Sequence, residues 1–124
     1  MNELVINGTS YTLNFGMGFM RDIDLEVQET IPNSPGVKKK VGLSYAVAGL
    51  MDRELETLEN VLLKANKGCN PRLTQAILDE YIENPDTDVE KVFDDVLGFL
   101  KSANATKITV KQLEERIAQR NQTE

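Results

Sequence analysis

Polar and apolar positions along the chain change period once, near residue 16, and that change divides the reading. Residues 3–6 (ELVI) and 10–15 (SYTLNF) are short β-prone runs, and in the second Tyr11, Leu13 and Phe15 alternate with polar Thr12 and Asn14. Alternation of this kind gives a strand one apolar face. Between the runs stands Asn7-Gly8, a pair that readily takes the left-handed dihedrals of a type I′ turn, so residues 1–15 are predicted to form a β-hairpin. A hairpin alone is marginal in water, and its apolar face must pack on something else.

Over residues 16–28 the spacing lengthens. Met17, Met20, Ile23 and Leu25 or Val27 fall on one side of a helix, with Phe19 beside them. Residues 29–41 (ETIPNSPGVKKKV) hold Pro32, Pro35 and Gly36 among polar and basic neighbours and read as a mobile loop. From Gly42 the pattern is helical. Residues 42–51 (GLSYAVAGLM) form a short apolar helix rich in small residues. Asp52 is a plausible cap for 53–67, whose stripe is Leu55, Leu58, Val61, Leu62 and Ala65, with Gly68 placed as a left-handed terminator. Thr74 can cap a helix to about 83. Thr87 and Glu90 are spaced as a capping box opening a helix over about 88–102, carrying Val89, Val92, Phe93, Val96, Leu97 and Leu100. Thr109 and Gln112 repeat that box before a last helix of about 110–120, with only Val110, Leu113 and Ile117 on its stripe. The segment 103–124 is accordingly expected to be loosely attached. The predicted fold is α+β: one domain spanning 1–124, an N-terminal β-hairpin packed on five to six helices with the helical core at 42–102.

Composition narrows what such a domain can do. Among 124 residues there is no His and one Cys, Cys69. His-containing triads, Cys–His nucleophile pairs and His/Cys zinc sites therefore have no residues to build them, and a disulfide within the chain is impossible. Cys69 sits in the polar stretch Lys67-Gly68-Cys69-Asn70-Pro71 with no firm activating partner, and reads as a loop residue rather than a reactive thiol. The carboxylate groupings Asp22/Asp24/Glu26, Asp86/Asp88 and Asp94/Asp95 read as solvated faces or helix caps. None has the spacing of a calcium loop. Gly16-Met17-Gly18 lacks the third glycine of a dinucleotide loop and follows a hairpin strand, so it reads as a sharp turn into the helix. No catalytic residue, cofactor or metal is expected, and the chain is not expected to be an enzyme.

Net charge is −6, which disfavours a nucleic-acid backbone as partner. The one basic run, Lys38-Lys39-Lys40, reads first as solvated loop, and otherwise as a phosphate contact or a dock for an acidic protein. No apolar run reaches the roughly 20 residues that cross a bilayer, so no membrane partner is expected. The start, MNELVINGTS, lacks the basic and apolar parts of a secretion signal, which points to a cytoplasmic protein. What remains is protein binding. Met17, Phe19 and Met20 form a face that is either core or an adaptable contact surface. Candidate contact residues are Met17, Phe19 and Met20, Tyr45 and Leu50 on the 42–51 helix, and Leu113 and Ile117 on the last helix.

The strings LVINGTSYTLNFGMGFMRDID, LETLENVLLKANKG, LTQAILDEYIEN and DVEKVFDDVLGFLKSA, in that order across residues 3–102, resemble the tail assembly chaperones of long-tailed bacteriophages, in the branch found in phages and prophages of Gram-positive bacteria. The resemblance implies a non-enzymatic protein made in the infected or lysogenic host. It would coat the helical tape-measure protein before the tail tube polymerises and be absent from the mature virion. It further implies that this chain is the short form, with a longer form made by programmed frameshifting that helps recruit the major tail-tube protein. Self-association is an additional option. The rival readings are a structural head–tail connector or tail-completion protein, and a small regulatory or inhibitory protein of a mobile element.

Overall fold

The computed structural model describes residues 2–123, with side chains through Arg120. Strand β1 (Asn2–Ile6) pairs antiparallel with β2 (Thr9–Leu13), Leu4 opposite Tyr11 and Ile6 opposite Thr9. Asn7 (φ 50°) and Gly8 (φ 80°) make the left-handed turn that the dipeptide predicts. The inner face carries Ile6, Tyr11 and Leu13, all buried, while Val5 on the outer face is exposed. The hairpin hangs from a helix to come, through the Asn14 N–H donated to the Ala65 carbonyl at 2.8 Å.

Helix α1 (Met17–Asp24) buries Phe19 and Ile23, and Phe19 meets Phe15 edge-on at a ring separation of 5.1 Å. It stops at Asp24, four residues short of the expected end. The chain then becomes strand β3 (Gln28–Thr30), paired antiparallel with β4 (Lys38–Lys40). Strands β3 and β4 thus pair at the two ends of the segment 29–41, with residues 31–37 looping between them. Val27, Thr30 and Ile31 are β-branched and favour extended backbone, and the Val27 carbonyl accepts the Val41 N–H at 2.8 Å, closing the ribbon at its base.

Five helices follow: α2 (Gly42–Met51), α3 (Leu55–Asn66), α4 (Gln75–Glu83), α5 (Val89–Ser102) and α6 (Lys107–Thr123). The molecule is α+β, an antiparallel N-terminal hairpin followed by six helices in one compact domain. The apolar stripes of α2, α3 and α5 meet around Val47, Leu50, Leu58, Leu62, Phe93 and Val96, each at most 2% exposed.

Helix starts obey the expected chemistry at one site and depart from it at three. The Thr74 hydroxyl accepts the Ile77 N–H, as predicted. Asp52 instead closes α2, and Glu54 occupies the cap position of α3; Arg53 between them turns left-handed at φ 60°. On α5 the cap is Asp88, whose Oδ1 accepts the Lys91 N–H at 3.1 Å, in place of Thr87. Both residues are suitable caps, and the one that meets a free N–H three positions on is the one used. Helix α6 begins at Lys107, so Thr109 and Gln112 lie inside it. Thr106 precedes it, fully buried, donating its hydroxyl to the Leu100 carbonyl at 2.7 Å. That bond and the fully buried Val110 hold the start of α6, while residues 114–120 are exposed.

Candidate functional site

The structure separates the candidate contact residues into three groups. Phe19 and Leu50 are 5% and 0% exposed, so both are core, and neither can touch a partner without opening the fold. Met17 and Ile117 are exposed, at 49% and 43%, but stand apart from any concavity described below. Met20, Tyr45 and Leu113, from three helices, line one open groove of about 770 Å³. Its floor is completed by Leu43 and Ala48 of α2, with α6 as one wall and the β3–β4 ribbon as the other.

The groove carries charge at its edges. Lys39 and Lys40 come from the ribbon and Arg116 from α6, facing Asp24 and Glu29. Both carboxylates are already engaged. Asp24 Oδ1 accepts the Leu43 N–H at 3.2 Å, at the start of α2, where a carboxylate also meets the positive end of the helix dipole. Glu29 Oε1 accepts the Tyr45 hydroxyl at 2.6 Å, which pushes the phenol above its ordinary pKa because the neutral O–H is the form that donates. This bond ties the ribbon to α2. The tripeptide Lys38-Lys39-Lys40 is therefore held in a strand beside an apolar floor, which its composition alone did not reveal.

Two of the three carboxylate groupings noted in the sequence are dispersed onto structural partners, and in the third Asp88 caps α5. Asp22 pairs with Lys67, Glu26 reaches Asn60 and Lys64, Asp94 pairs with Arg53, and Asp95 pairs with Lys91. Arg53 escaped sequence reasoning altogether. Its guanidinium binds Glu90 at 3.1 Å and Asp94 at 2.6 Å and lies 5.3 Å from the Phe93 ring centre, clamping the α2–α3 corner to α5. Among the described residues no group of three or more His, Cys, Asp or Glu is arranged to hold a metal ion, and no helix is long and apolar enough to cross a membrane.

One acidic contact does form, where no motif marks it. Glu59 of α3 shares a hydrogen bond with Asp79 of α4, with Glu56 and Glu83 close by. Burial first, then the Asp79 hydrogen bond and the neighbouring negative charges, push Glu59 up to about 7 from an ordinary value of about 4.5. A carboxyl raised on folding contributes stability that is full below about pH 4.5 and is lost as pH rises through about 7. Glu59→Gln is therefore expected to stabilise the protein at pH 8 and to be neutral near pH 4. Glu59 is only half-buried, so the gain is held to about 0.5–1 kcal/mol, or roughly 2–4 °C in Tm. Thermal melts of both proteins at the two pH values check this, and a gain independent of pH would contradict it.

Against known proteins, the chain matches a family model described as "Phage tail assembly chaperone protein, TAC" over residues 3–115. No curated protein and no solved structure matches it. The matched span takes in the hairpin, α1–α5, the ribbon and the anchored turns of α6, and so includes most of the groove.

Proposed function

This chain belongs to the phage tail assembly chaperone family, and from that premise we propose that it binds and solubilises the tape-measure protein during tail morphogenesis. The family's role is assembly rather than catalysis, and it implies binding to phage tail proteins generally. The observation that carries the reading is the match across residues 3–115. The finer steps belong to the proposal: action in the host cytoplasm, recruitment of the tail-tube protein through a frameshifted longer form, and absence from the mature virion.

Physical chemistry supports the assignment to a holding role. A tape measure is a long helical chain whose apolar faces promote aggregation until the tube covers them. A groove between helices that offers Met20, Leu43, Ala48 and Leu113 among polar residues is suited to lay one such face away from water. The chaperone's charge of −6 keeps the complex soluble. Many weakly bound copies along one client hold it by avidity, yet each remains displaceable by arriving tube subunits.

Co-expression with the tape-measure protein encoded by the same phage tests this. The tape measure is expected to move from the insoluble to the soluble fraction and to copurify with this chain. Mass spectrometry of purified virions is expected to find no stoichiometric copies. Stoichiometric copies in the particle would instead favour a connector or tail-completion protein. Recovery of a host enzyme, with the tape measure left insoluble, would favour a regulatory protein.

A further inference from the structure

In a protein with 20 acidic and 14 basic residues, three cations, Lys39, Lys40 and Arg116, line one groove. Arg53, Lys64, Lys67, Lys91 and Lys101 each sit against a carboxylate. Among the described residues Lys39, Lys40 and Arg116 take part in no ion pair, although all three are exposed and acidic groups are plentiful. Glu29 stands opposite Lys39 in the ribbon register, yet its carboxylate turns to the Tyr45 hydroxyl. Asp24 is likewise drawn to the Leu43 N–H. The fold thus gives both groove carboxylates internal partners, while the three cations line the same groove as Met20, Leu43, Ala48 and Leu113.

We propose that this groove takes a helical segment of a partner protein whose apolar face is flanked by carboxylates, Lys39 and Lys40 engaging one flank and Arg116 the other. The proposal rests on the client-binding reading above and specifies the chemistry of the client segment. An open trough suits a chain segment better than a small molecule, which needs an enclosing pocket. Nucleic acid is disfavoured because Asp24 and Glu29 stand within the groove and Tyr45 is the lone aromatic residue on its lining. Charge on both rims fixes the register of the segment, while the apolar floor, with its adaptable Met20, supplies attraction without demanding one sequence.

The test uses the full chain and two synthetic helical peptides of about 20 residues, with the same Leu/Met face flanked by Glu in one and by Lys in the other. Fluorescence anisotropy is expected to show the Glu peptide binding at least roughly tenfold more tightly than the Lys peptide, with the preference shrinking as salt is raised. In K39E/K40E/R116E the preference is expected to reverse, because the three substituted residues are exposed and take part in no ion pair among the described residues. The milder K39Q/K40Q should abolish most of the preference, and covers the case in which the triple variant fails to fold. Equal binding of the two peptides, or a preference unchanged in the variants, overturns the proposal. So does a wild-type dimer in sedimentation velocity that dissociates in the triple variant, or a single-stranded oligonucleotide that binds as tightly as the Glu peptide. Tape-measure capture separates the two levels. Capture that persists in the triple variant sinks the groove assignment alone. Failure of the wild type to capture the tape measure sinks the client reading, while the peptide preference still decides the groove.

Discussion

Asn66→Leu is expected to cost the fold about 3–4 kcal/mol, a large part of the 5–15 kcal/mol that holds a domain together. Asn66 closes α3 and is completely buried. Its Nδ2 donates to the Thr12 carbonyl at 3.1 Å and the Pro71 carbonyl at 3.2 Å, and its Oδ1 accepts the Leu73 N–H at 2.6 Å. One amide thereby joins the hairpin, the end of α3 and the chain leading to α4. Leucine fills comparable space but leaves two carbonyls and one buried N–H without partners, and desolvated groups left unpaired are what make such substitutions severe. Asn66→Asp is expected to be comparably damaging at neutral pH, since a carboxylate would face two carbonyls and lose both donors. It should recover in part under acid conditions, where the protonated group can donate once. Urea midpoints and hydrogen exchange at the Leu73 amide would measure both. A loss under about 1 kcal/mol for the leucine variant would mean that the three bonds are replaceable by water.

Gly42→Ala should destabilise by about 3 kcal/mol, the upper part of the range for overpacking, and lower Tm by about 10 °C. A Cβ at this position would lie 1.9 Å from the Ile23 carbonyl oxygen and 2.9 Å from that of Asp24. The obstacle is the backbone at the end of α1, which cannot rotate aside as a side chain would, so α1 and α2 must separate. Helix propensity alone predicts the opposite sign, because alanine is favoured over glycine within helices by about 1 kcal/mol. Gly98 in α5 provides the contrast: nothing lies within 4 Å of its added Cβ, and Gly98→Ala should stabilise by about 0.5–1 kcal/mol. If both substitutions changed stability alike, close approach of α1 to α2 would not be what glycine serves at position 42. Because Met20 and Leu43 flank this contact, the Gly42 variant should also lose Glu-peptide binding in the groove.

The two large effects have different visibility in the sequence. Gly42 was legible only as one of several small residues in an apolar helix, and nothing in the pattern singled out Asn66. Their importance arises from what the fold brings against them: a carbonyl of α1 for the glycine, and the Thr12 carbonyl, 54 positions away, for the asparagine. The acid pair Glu59–Asp79 is of the same kind, since each residue is an ordinary exposed-face carboxylate until α3 and α4 are set side by side. Family membership, by contrast, was readable from ordered strings along the chain, because such strings preserve the elements and their spacing even where no catalytic motif exists.

Local interactions explain what the sequence determined by itself. Asn7-Gly8 specifies its turn through dihedrals that few other pairs tolerate. Thr74 specifies a helix start through a hydroxyl three residues from a free N–H. The stripes of α3 and α5 specify which side of each helix must leave water. The absence of His, and of a second Cys, removes whole classes of chemistry before any fold is considered. The tertiary structure decided which apolar sides were covered by the chain itself and which were left open. Periodicity assigned Phe19, Met20, Leu50 and Leu113 alike to apolar faces. Packing buried Phe19 and Leu50 and left Met20 and Leu113 on the groove. It also drew residues 28–30 and 38–40 into a ribbon through pairing that no short window contains. That ribbon sets Lys39 and Lys40 across from Arg116, so the groove exists only once segments far apart in sequence have met.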